Sequence, residues 1–328
     1  MTRMTMVEAL NRGLKEAMAE DERIIVLGED VGVDGGVFRV TDELIDEFGD
    51  DRVLDTPLAE SGIIGFCVGM AVAGLRPVAE LQFSGFSYFG FHQIEAHVAR
   101  MRWRTGGGLT TPMVIRMPYG AGVRALEHHS ESREVYYAHT PGLKTVIPSN
   151  PSNARALLKS AIRDPDPVIF LEPKFLYRSE RAEVSDDDPE LEIGVARVAR
   201  EGSDLTLIGY GAMMPAILEC AERLSESHDA EVEVIDLLSL SPLDDETIAS
   251  SVAKTGRAVV VHEAPRSYGP AGEIASRISE RCFYHLEAPV GRVTGYDIIT
   301  PYFAREKLHM PGIERILDAA VETLEARA

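Results

Sequence analysis

The sequence predicts an α/β protein: a parallel sheet covered by helices on both faces, followed by a second, smaller domain of the same class. Three observations carry this. Short runs such as IIVLG and PVIFL are apolar without alternation, as strands buried on both faces are. Helix-length amphipathic segments separate them, which is the pattern of crossover connections. And ERAEVSDDDPELEI, residues 180–193, is an acidic, proline-containing break in that alternation. With 328 residues the chain is long enough for two cores. The expected division is a domain over 1–180, an acidic linker over 181–193 and a domain over 194–328.

The first domain opens with a helix over Thr5 to Glu20, begun by the capping box Thr5-x-x-Glu8. RIIVLGE is a buried strand and DVGVDGG a glycine-rich loop. A helix near TDELIDEF and the short strand RVLD follow. Gly62 to Gly74 carries no charge and is a helix, too short for a bilayer, which needs about 20 residues. RPVAELQ is a strand, and one long helix is expected from about Phe89 to Arg104. PMVIRM and KTVIP are strands, NPSNARALLKSAIRD is a helix with Pro151 near its first turn, and PVIFLEP is a further strand. In the second domain DLTLIGYG, EVEVIDLLSL, RAVVVHE and VGRVTG are strands with helices between them, and a final helix starts at Ile313.

The net charge of −20 argues against nucleic acid, because phosphates are met by basic surfaces. Only 6 of the 33 basic residues are lysine. An acidic, lysine-poor surface suits a high-salt cytoplasm; a mildly acidic enzyme from a GC-rich genome has the same composition. The first residues read as an amphipathic helix and not as a signal peptide. A cytoplasmic protein with no membrane segment is expected. Cys67, Cys220 and Cys282 lie far apart in apolar helical contexts, as buried small hydrophobes do, and support neither a disulfide nor zinc.

One acid stands in an awkward place. Glu60 is at the mouth of the uncharged helix. The helix dipole alone favours an acid in a first turn. A capping box fails, because Thr56 is four residues back and not three. The glycines and alanines that follow let a ligand or another backbone come close, and so apolar a helix is expected to be buried on all sides. A carboxyl at its mouth would be partly desolvated, the setting of a group that holds or trades a proton.

LQFSGFSYFGFHQ, residues 81–93, adds five aromatics after a strand. Most belong to a core or subunit interface, and one ring at the strand's carboxyl end suits a flat heterocycle. YGAGVRALEHHSES, residues 119–132, is a glycine-rich loop with paired histidines, a better catalytic candidate than a lone one. Metal binding lacks a second ligand cluster. Arg100, Arg102 and Arg104 complement a helix C-terminus, and His262–Glu263 is taken as a satisfied loop. LTLIGYGAMM with Asp236 nearly completes a dinucleotide fingerprint, but Met214 stands where Gly or Ala is needed for close packing.

GEDVG, DTPLAESGIIGFCVGMAVAGLRPVAELQF, RMPYGAG, HHSES, PSNPSNARALLKSAIRDPDPVIFLEPK and VHEAPRSYGPAGEIA run in this order over nearly the whole chain. Together they resemble the beta subunit of the 2-oxo acid dehydrogenase decarboxylating component. The resemblance implies a pyrimidine-binding α/β domain of a thiamine diphosphate enzyme, then a transketolase-like C-terminal domain. The implied activity is oxidative decarboxylation of pyruvate or branched-chain 2-oxo acids, with acyl transfer to a lipoyl acyltransferase core. Thiamine diphosphate would be shared with an alpha subunit in an α2β2 heterotetramer. The alpha subunit grips the diphosphate and Mg²⁺ through Gly-Asp-Gly and a downstream Asn. VDGG and FGDD are the nearest approaches here, and neither is that motif.

The resemblance assigns residues one at a time. Glu60 falls on the family's pyrimidine-activating Glu, implied to bond N1′ of the aminopyrimidine and favour its imino tautomer, which then takes the thiazolium C2 proton. Leu58 and Gln82 match pocket-lining positions, and Phe86 matches the ring that stacks on the pyrimidine. His129 matches the loop His implicated in handling the intermediate and passing the acyl group to lipoyl; His128 has no such match. A K⁺ site of backbone carbonyls would fall at Met113, Ala161, Ile162, Asp164 and Asp166, with Asp166 where Asn is expected. Glu131 stands where Gln is common and adds a negative charge beside His129.

Three other readings compete: a nicotinamide-dependent oxidoreductase on the Gly209–Asp236 unit, a non-catalytic structural subunit, and half of a split transketolase. The HHSES and DTPLAE stretches favour the dehydrogenase. The particular 2-oxo acid is not legible, since one or two methylenes are worth only about 1–3 kcal/mol.

Overall fold

The computed structural model describes residues 1–185 and 189–326. They form two compact units, Met1–Tyr119 with Tyr136–Ile193, and Gly120–Val135 with Gly194–Ala328. The segment Gly120–Val135 therefore packs with residues that follow it by far in sequence. Among the described residues no helix is long and apolar enough to cross a membrane.

In the first unit β1 (Thr2–Met4) precedes α1 (Met6–Glu20). The capping box at α1 is complete: Thr5 N–H donates to Glu8 Oε2 at 2.7 Å and Glu8 N–H to Thr5 Oγ1 at 3.3 Å. Then come β2 (Ile24–Gly28), α2 (Leu44–Phe48), β3 (Val53–Asp55), α3 (Glu60–Val72) and β4 (Arg76–Glu80). The chain continues through α4 (Tyr88–Gln93), α5 (Met101–Arg104), β5 (Val114–Tyr119), α6 (Glu134–Ala138), β6 (Lys144–Val146), α7 (Pro151–Arg163), β7 (Val168–Pro173) and β8 (Ala182–Val184). Asn150 caps α7, accepting the Asn153 N–H at 2.9 Å, and Pro151 takes N1, where no N–H is needed.

The strands run β6-β7-β5-β4-β2-β3, and every pair is parallel. β2, β5 and β7 are buried throughout, as strands covered on both faces are; the charges of Arg116 on β5 and Glu172 on β7 pair with each other inside the sheet. From β2 the chain moves to β3 on one side and returns to β4 on the other. That switch opens a crevice at the carboxyl ends of β2 and β4, where open α/β sheets bind ligands. Gly28 and Glu80 are register partners there, and a Cβ at Gly28 would lie 2.5 Å from the Glu80 carbonyl oxygen.

Four expectations are corrected. The helix over Phe89 to Arg104 is interrupted: after α4 a π-turn spans Ile94–Val98, closed by Ala99 N–H to Ile94 O at 2.9 Å. The Thr111 hydroxyl takes the Val98 carbonyl at 2.9 Å, which diverts the helical ladder. Second, α3 is buried on one face only. Ile63, Ile64 and Cys67 are covered, while Phe66 is 58% exposed and Val72 41%. Third, the acidic break is not all linker: β8 pairs antiparallel with β1. Residues 186–188 of that break lie outside the described residues. Fourth, His262 and Glu263 are not a loop pair but lie buried on a strand.

The second unit contains β9 (Arg197–Arg200), β10 (Leu205–Gly209), α8 (Met214–His228), β11 (Val232–Asp236), β12 (Ser239–Ser241) and α9 (Asp245–Thr255). It ends with β13 (Ala258–Pro265), α10 (Pro270–Cys282), β14 (Gly291–Gly295), α11 (Glu306–His309) and α12 (Ile313–Glu325). Its sheet is ordered β14-β13-β10-β11-β9, parallel except for the edge strand β9. Leu207, Ile217, Val234, Val261 and Ile316 meet in its core. The three cysteines are buried and unbridged, and burial pushes the Cys67 and Cys220 thiols up to about 12.

Candidate active site

The crevice of the first unit collects acids from two stretches. Glu29 and Asp30 follow β2 directly, and Glu60 begins α3. Glu60 is 5% exposed and Glu29 6%. Burial raises the Glu29 carboxyl above its ordinary range, and the charge of Glu60 raises it further. The two carboxyls therefore sit within electrostatic reach of each other in a place poor in water. Gln82, just past β4, donates from Nε2 to Asp30 Oδ2 at 3.0 Å across the switch point. The glycine-rich loop is tied back by Asp55, which accepts N–H groups of Gly32 at 2.6 Å and Val33 at 3.2 Å.

Other candidates frame this point. Leu58 precedes α3 and is 78% exposed. Phe86 is half-buried, its ring edge-on to Phe83 at 5.3 Å between centroids. Gly90 packs against α3, where a Cβ would touch the Glu60 carbonyl oxygen at 3.4 Å. The Thr56 hydroxyl oxygen is buried with no partner among the described residues. No catalytic motif marks Glu29, although its place in GEDVG, at a strand's carboxyl end before a glycine loop, is a positional signal.

The paired histidines belong to the second unit. His129 is half-buried, and its ring lies perpendicular to that of His128, centroids 6.4 Å apart. Glu131 faces Arg133, which donates to Oε2 at 2.7 Å from Nε, and His128, whose Nδ1 is 3.9 Å from Oε1. The extra charge of Glu131 is thus directed to Arg133 and His128. Beside His129, the Ser130 hydroxyl is buried without a partner among the described residues.

Directly after this loop stands Glu134, fully buried, accepting the Tyr210 hydroxyl on Oε1 at 2.9 Å. Oε2 has no partner among the described residues. Burial pushes this carboxyl from 4.5 up to about 6. A folded-state value above the unfolded one means that the native state binds the extra proton in between. That stability is fully present below about pH 4.5 and is lost as pH rises through about 6. Glu134→Gln is expected to remove this slope and to gain about 2 kcal/mol over the parent at pH 7.5. Parallel denaturation of parent and variant at pH 4.5 and 7.5 checks it; identical slopes would refute the assignment.

The near-dinucleotide turn is filled by side chains. A Cβ at Gly209 would lie 2.2 Å from Ile217 Cδ1 and 3.5 Å from Met214 Sδ, and both side chains are buried. A pyrophosphate needs that space for close backbone approach.

Of the five residues matched to a K⁺ site, four have carbonyl oxygens that accept hydrogen bonds. Val168 N–H takes Met113 O at 3.0 Å, and Asp164 N–H takes Ala161 O at 3.3 Å. Arg76 Nη1 donates to Ile162 O at 2.9 Å and to Asp164 O at 3.3 Å. The Asp164 carboxylate holds Lys144 at 2.5 Å, and that of Asp166 holds Arg102 at 2.6 Å.

Residues 2–180 match the model of the transketolase pyrimidine binding domain, and residues 194–316 match that of the transketolase C-terminal domain. The chain is 50% identical over 313 residues to the pyruvate dehydrogenase E1 component subunit beta of Acholeplasma laidlawii, covering 95% of each. It is 51% identical over 321 residues to the 3-methyl-2-oxobutanoate dehydrogenase subunit beta of Mycobacterium tuberculosis (strain CDC 1551 / Oshkosh), covering 98% of this chain and 92% of the relative. The chain belongs to the 2-oxo acid dehydrogenase beta-subunit family. Among solved structures, a split gene transketolase described as an inactive beta4 tetramer superposes with a TM-score of 0.81 over the full length of both chains. At 23% identity that likeness shows the shared fold. In this beta subunit, then, the parallel-sheet domain with Glu60 is the pyrimidine-binding type, and the domain with β10 and β13 is the transketolase C-terminal type.

Proposed function

We propose that this beta subunit supplies the pyrimidine half of a thiamine diphosphate site in an α2β2 heterotetramer. It would act in the cytoplasm on pyruvate or a branched-chain 2-oxo acid and pass the acyl group to a lipoyl acyltransferase core. The observation that carries this is Glu60: a buried carboxyl at a helix start, in the switch-point crevice, crowding a second buried acid. The residues present fit an aminopyrimidine. A carboxyl suits a ring nitrogen, a half-buried Phe86 suits the ring face, and Leu58 and Gln82 suit its edges. When bound, the cofactor supplies the electron sink for loss of CO₂. Glu60 would hold and return a proton at the pyrimidine N1′, in a setting where few waters compete. His129 would donate a proton or stabilise charge during acyl transfer.

Mg²⁺ and the diphosphate are assigned to the alpha subunit, since this chain lacks Gly-Asp-Gly. The apolar side chains of Phe66, Phe89 and Trp103, 58%, 70% and 89% exposed, favour a partner surface. A K⁺ ion fits the present donor set poorly. It would share the Ile162 and Asp164 carbonyls with the Arg76 guanidinium and approach Lys144. No step is assigned to it.

The test is purification of the chain from its own host. A stoichiometric partner bearing Gly-Asp-Gly and a downstream Asn is expected, and turnover of pyruvate or 3-methyl-2-oxobutanoate should require both chains and thiamine diphosphate. A chain that purifies alone, and to which no such partner restores turnover, would overturn the half-site reading.

A further inference from the structure

The loop that bears His129 has an unusual backbone. Gly120, Gly122, Arg124 and Leu126 all lie in the left-handed region, with φ of +83°, +99°, +59° and +69°. Two of these are not glycine, and such conformations persist only where the surroundings impose them. A backbone that alternates hand turns neighbouring N–H groups to one side and forms a concavity for an anion. Here the anions are side chains from far along the chain. Glu263 on β13, 3% exposed, accepts the Ala121 N–H on Oε2 at 2.8 Å. Glu306 at the start of α11, 2% exposed, accepts the Gly122 N–H on Oε1 at 2.8 Å and the Arg124 N–H on Oε2 at 2.9 Å. A Cβ at Gly120 would stand 2.4 Å from Glu263 Oε1, so the chain must be bare where that carboxyl passes. Thr300 adds a hydroxyl to the Ser130 carbonyl at 3.4 Å.

We infer that Glu306 and Glu263 are positioning residues for His129, acting through the backbone of residues 120–124. Apolar anchors would have sufficed to bury the loop. Buried carboxylates are costly unless their oxygens are satisfied. Three of the four oxygens here accept main-chain N–H groups, which sets φ and ψ directly and is indifferent to the loop's side chains. Charge-assisted bonds of this kind are shorter and stronger than neutral ones. The direction in which the chain leaves Arg124, and hence where His129 is presented, follows from that clamp. The inference rests on the proposed part of His129 in acyl transfer.

The test uses Glu306→Gln in the reassembled heterotetramer, with lipoamide as the acyl acceptor. A carboxamide has one acceptor oxygen and turns its NH₂ against the other N–H, so one bond is lost. Amides of 121–124 are expected to exchange about tenfold faster. Acyl transfer should fall about 100-fold, the scale of a 1 Å misplacement, and the loss should appear in kcat and not in KM for the 2-oxo acid. Unchanged exchange in Glu306→Gln would overturn the clamp. So would unchanged transfer in Glu306→Gln beside an impaired His129→Ala. Unchanged transfer in His129→Ala itself would instead remove the role of His129, whatever the exchange rates. Should Glu306→Gln not assemble, Glu306→Asp, whose carboxylate is shorter, is read by the same two measurements and the same outcomes.

Discussion

Glu60→Ala in the assembled heterotetramer is expected to lower 2-oxo acid turnover by about 10²–10⁴-fold, the range of a lost general acid–base group, with assembly intact. The structure separates the two effects. Glu60 is the first residue of α3, and Ala59 before it makes no side-chain cap. Losing the acid forfeits at most its interaction with the helix dipole, about 0.3–1 kcal/mol. Against that, the variant relieves the crowding of Glu29, whose carboxyl should return toward its ordinary range once the Glu60 charge is gone. Loss of turnover with an unaltered melting temperature and an unaltered gel-filtration profile is therefore the expected result. Retained turnover would take Glu60 out of the mechanism.

Arg116→Met is expected to destabilise the first unit by about 3–5 kcal/mol, the cost of breaking a buried ion pair from one side. Arg116 lies in the middle of β5 and is 1% exposed. Its Nη1 donates to Glu80 Oε2 at 2.8 Å, and its Nε and Nη2 donate to the two oxygens of Glu172 at 2.7 and 3.1 Å. Tyr177 adds its hydroxyl to Glu172 at 2.5 Å. Without the guanidinium, two carboxylates remain buried and lose the counter-charge that it supplies. Burial already raises Glu80 against the opposing charge of Arg116, and loss of the guanidinium lets it rise further. An acid raised in the folded state contributes stability at low pH that is lost as pH rises through its folded value. The defect should thus be smaller at pH 5 than at pH 8. Urea unfolding at both values measures it. Equal stability of parent and variant at pH 8 would show that the network is dispensable.

Much of the fold was legible because its signals are local. Thr5 and Glu8 announce α1 three residues apart, Asn150 and Pro151 announce α7, and short, largely apolar runs mark β2, β7 and β10. The π-turn at Ile94–Val98 was not legible, because no proline or glycine marks it and the hydroxyl that bonds Val98 O comes from Thr111, outside the helix. The pairing of β8 with β1 was hidden too. It joins the start of the chain to a stretch whose acidic composition reads as linker. The uncovered face of α3 defeated the simplest burial argument: an apolar helix need not be covered by its own chain.

The site divides along the same line. The sequence by itself determined that Glu60 stands at the mouth of an apolar helix, that Phe86 and Gln82 follow a strand's carboxyl end, and that two histidines share a glycine-rich loop. Each of these depends on neighbours a few residues apart, which is the range of periodicity, capping and turn chemistry. The company those residues keep was decided only by tertiary structure. Glu29 comes beside Glu60 because β2 borders β4 at the switch point. Arg116 is neutralised because β4 and β7 flank β5. The His129 loop is held by Glu263 and Glu306, acids more than a hundred residues downstream. A charge–charge or charge–backbone contact between distant residues leaves no pattern in the chain. It exists only once burial has removed the water that would otherwise screen or replace it.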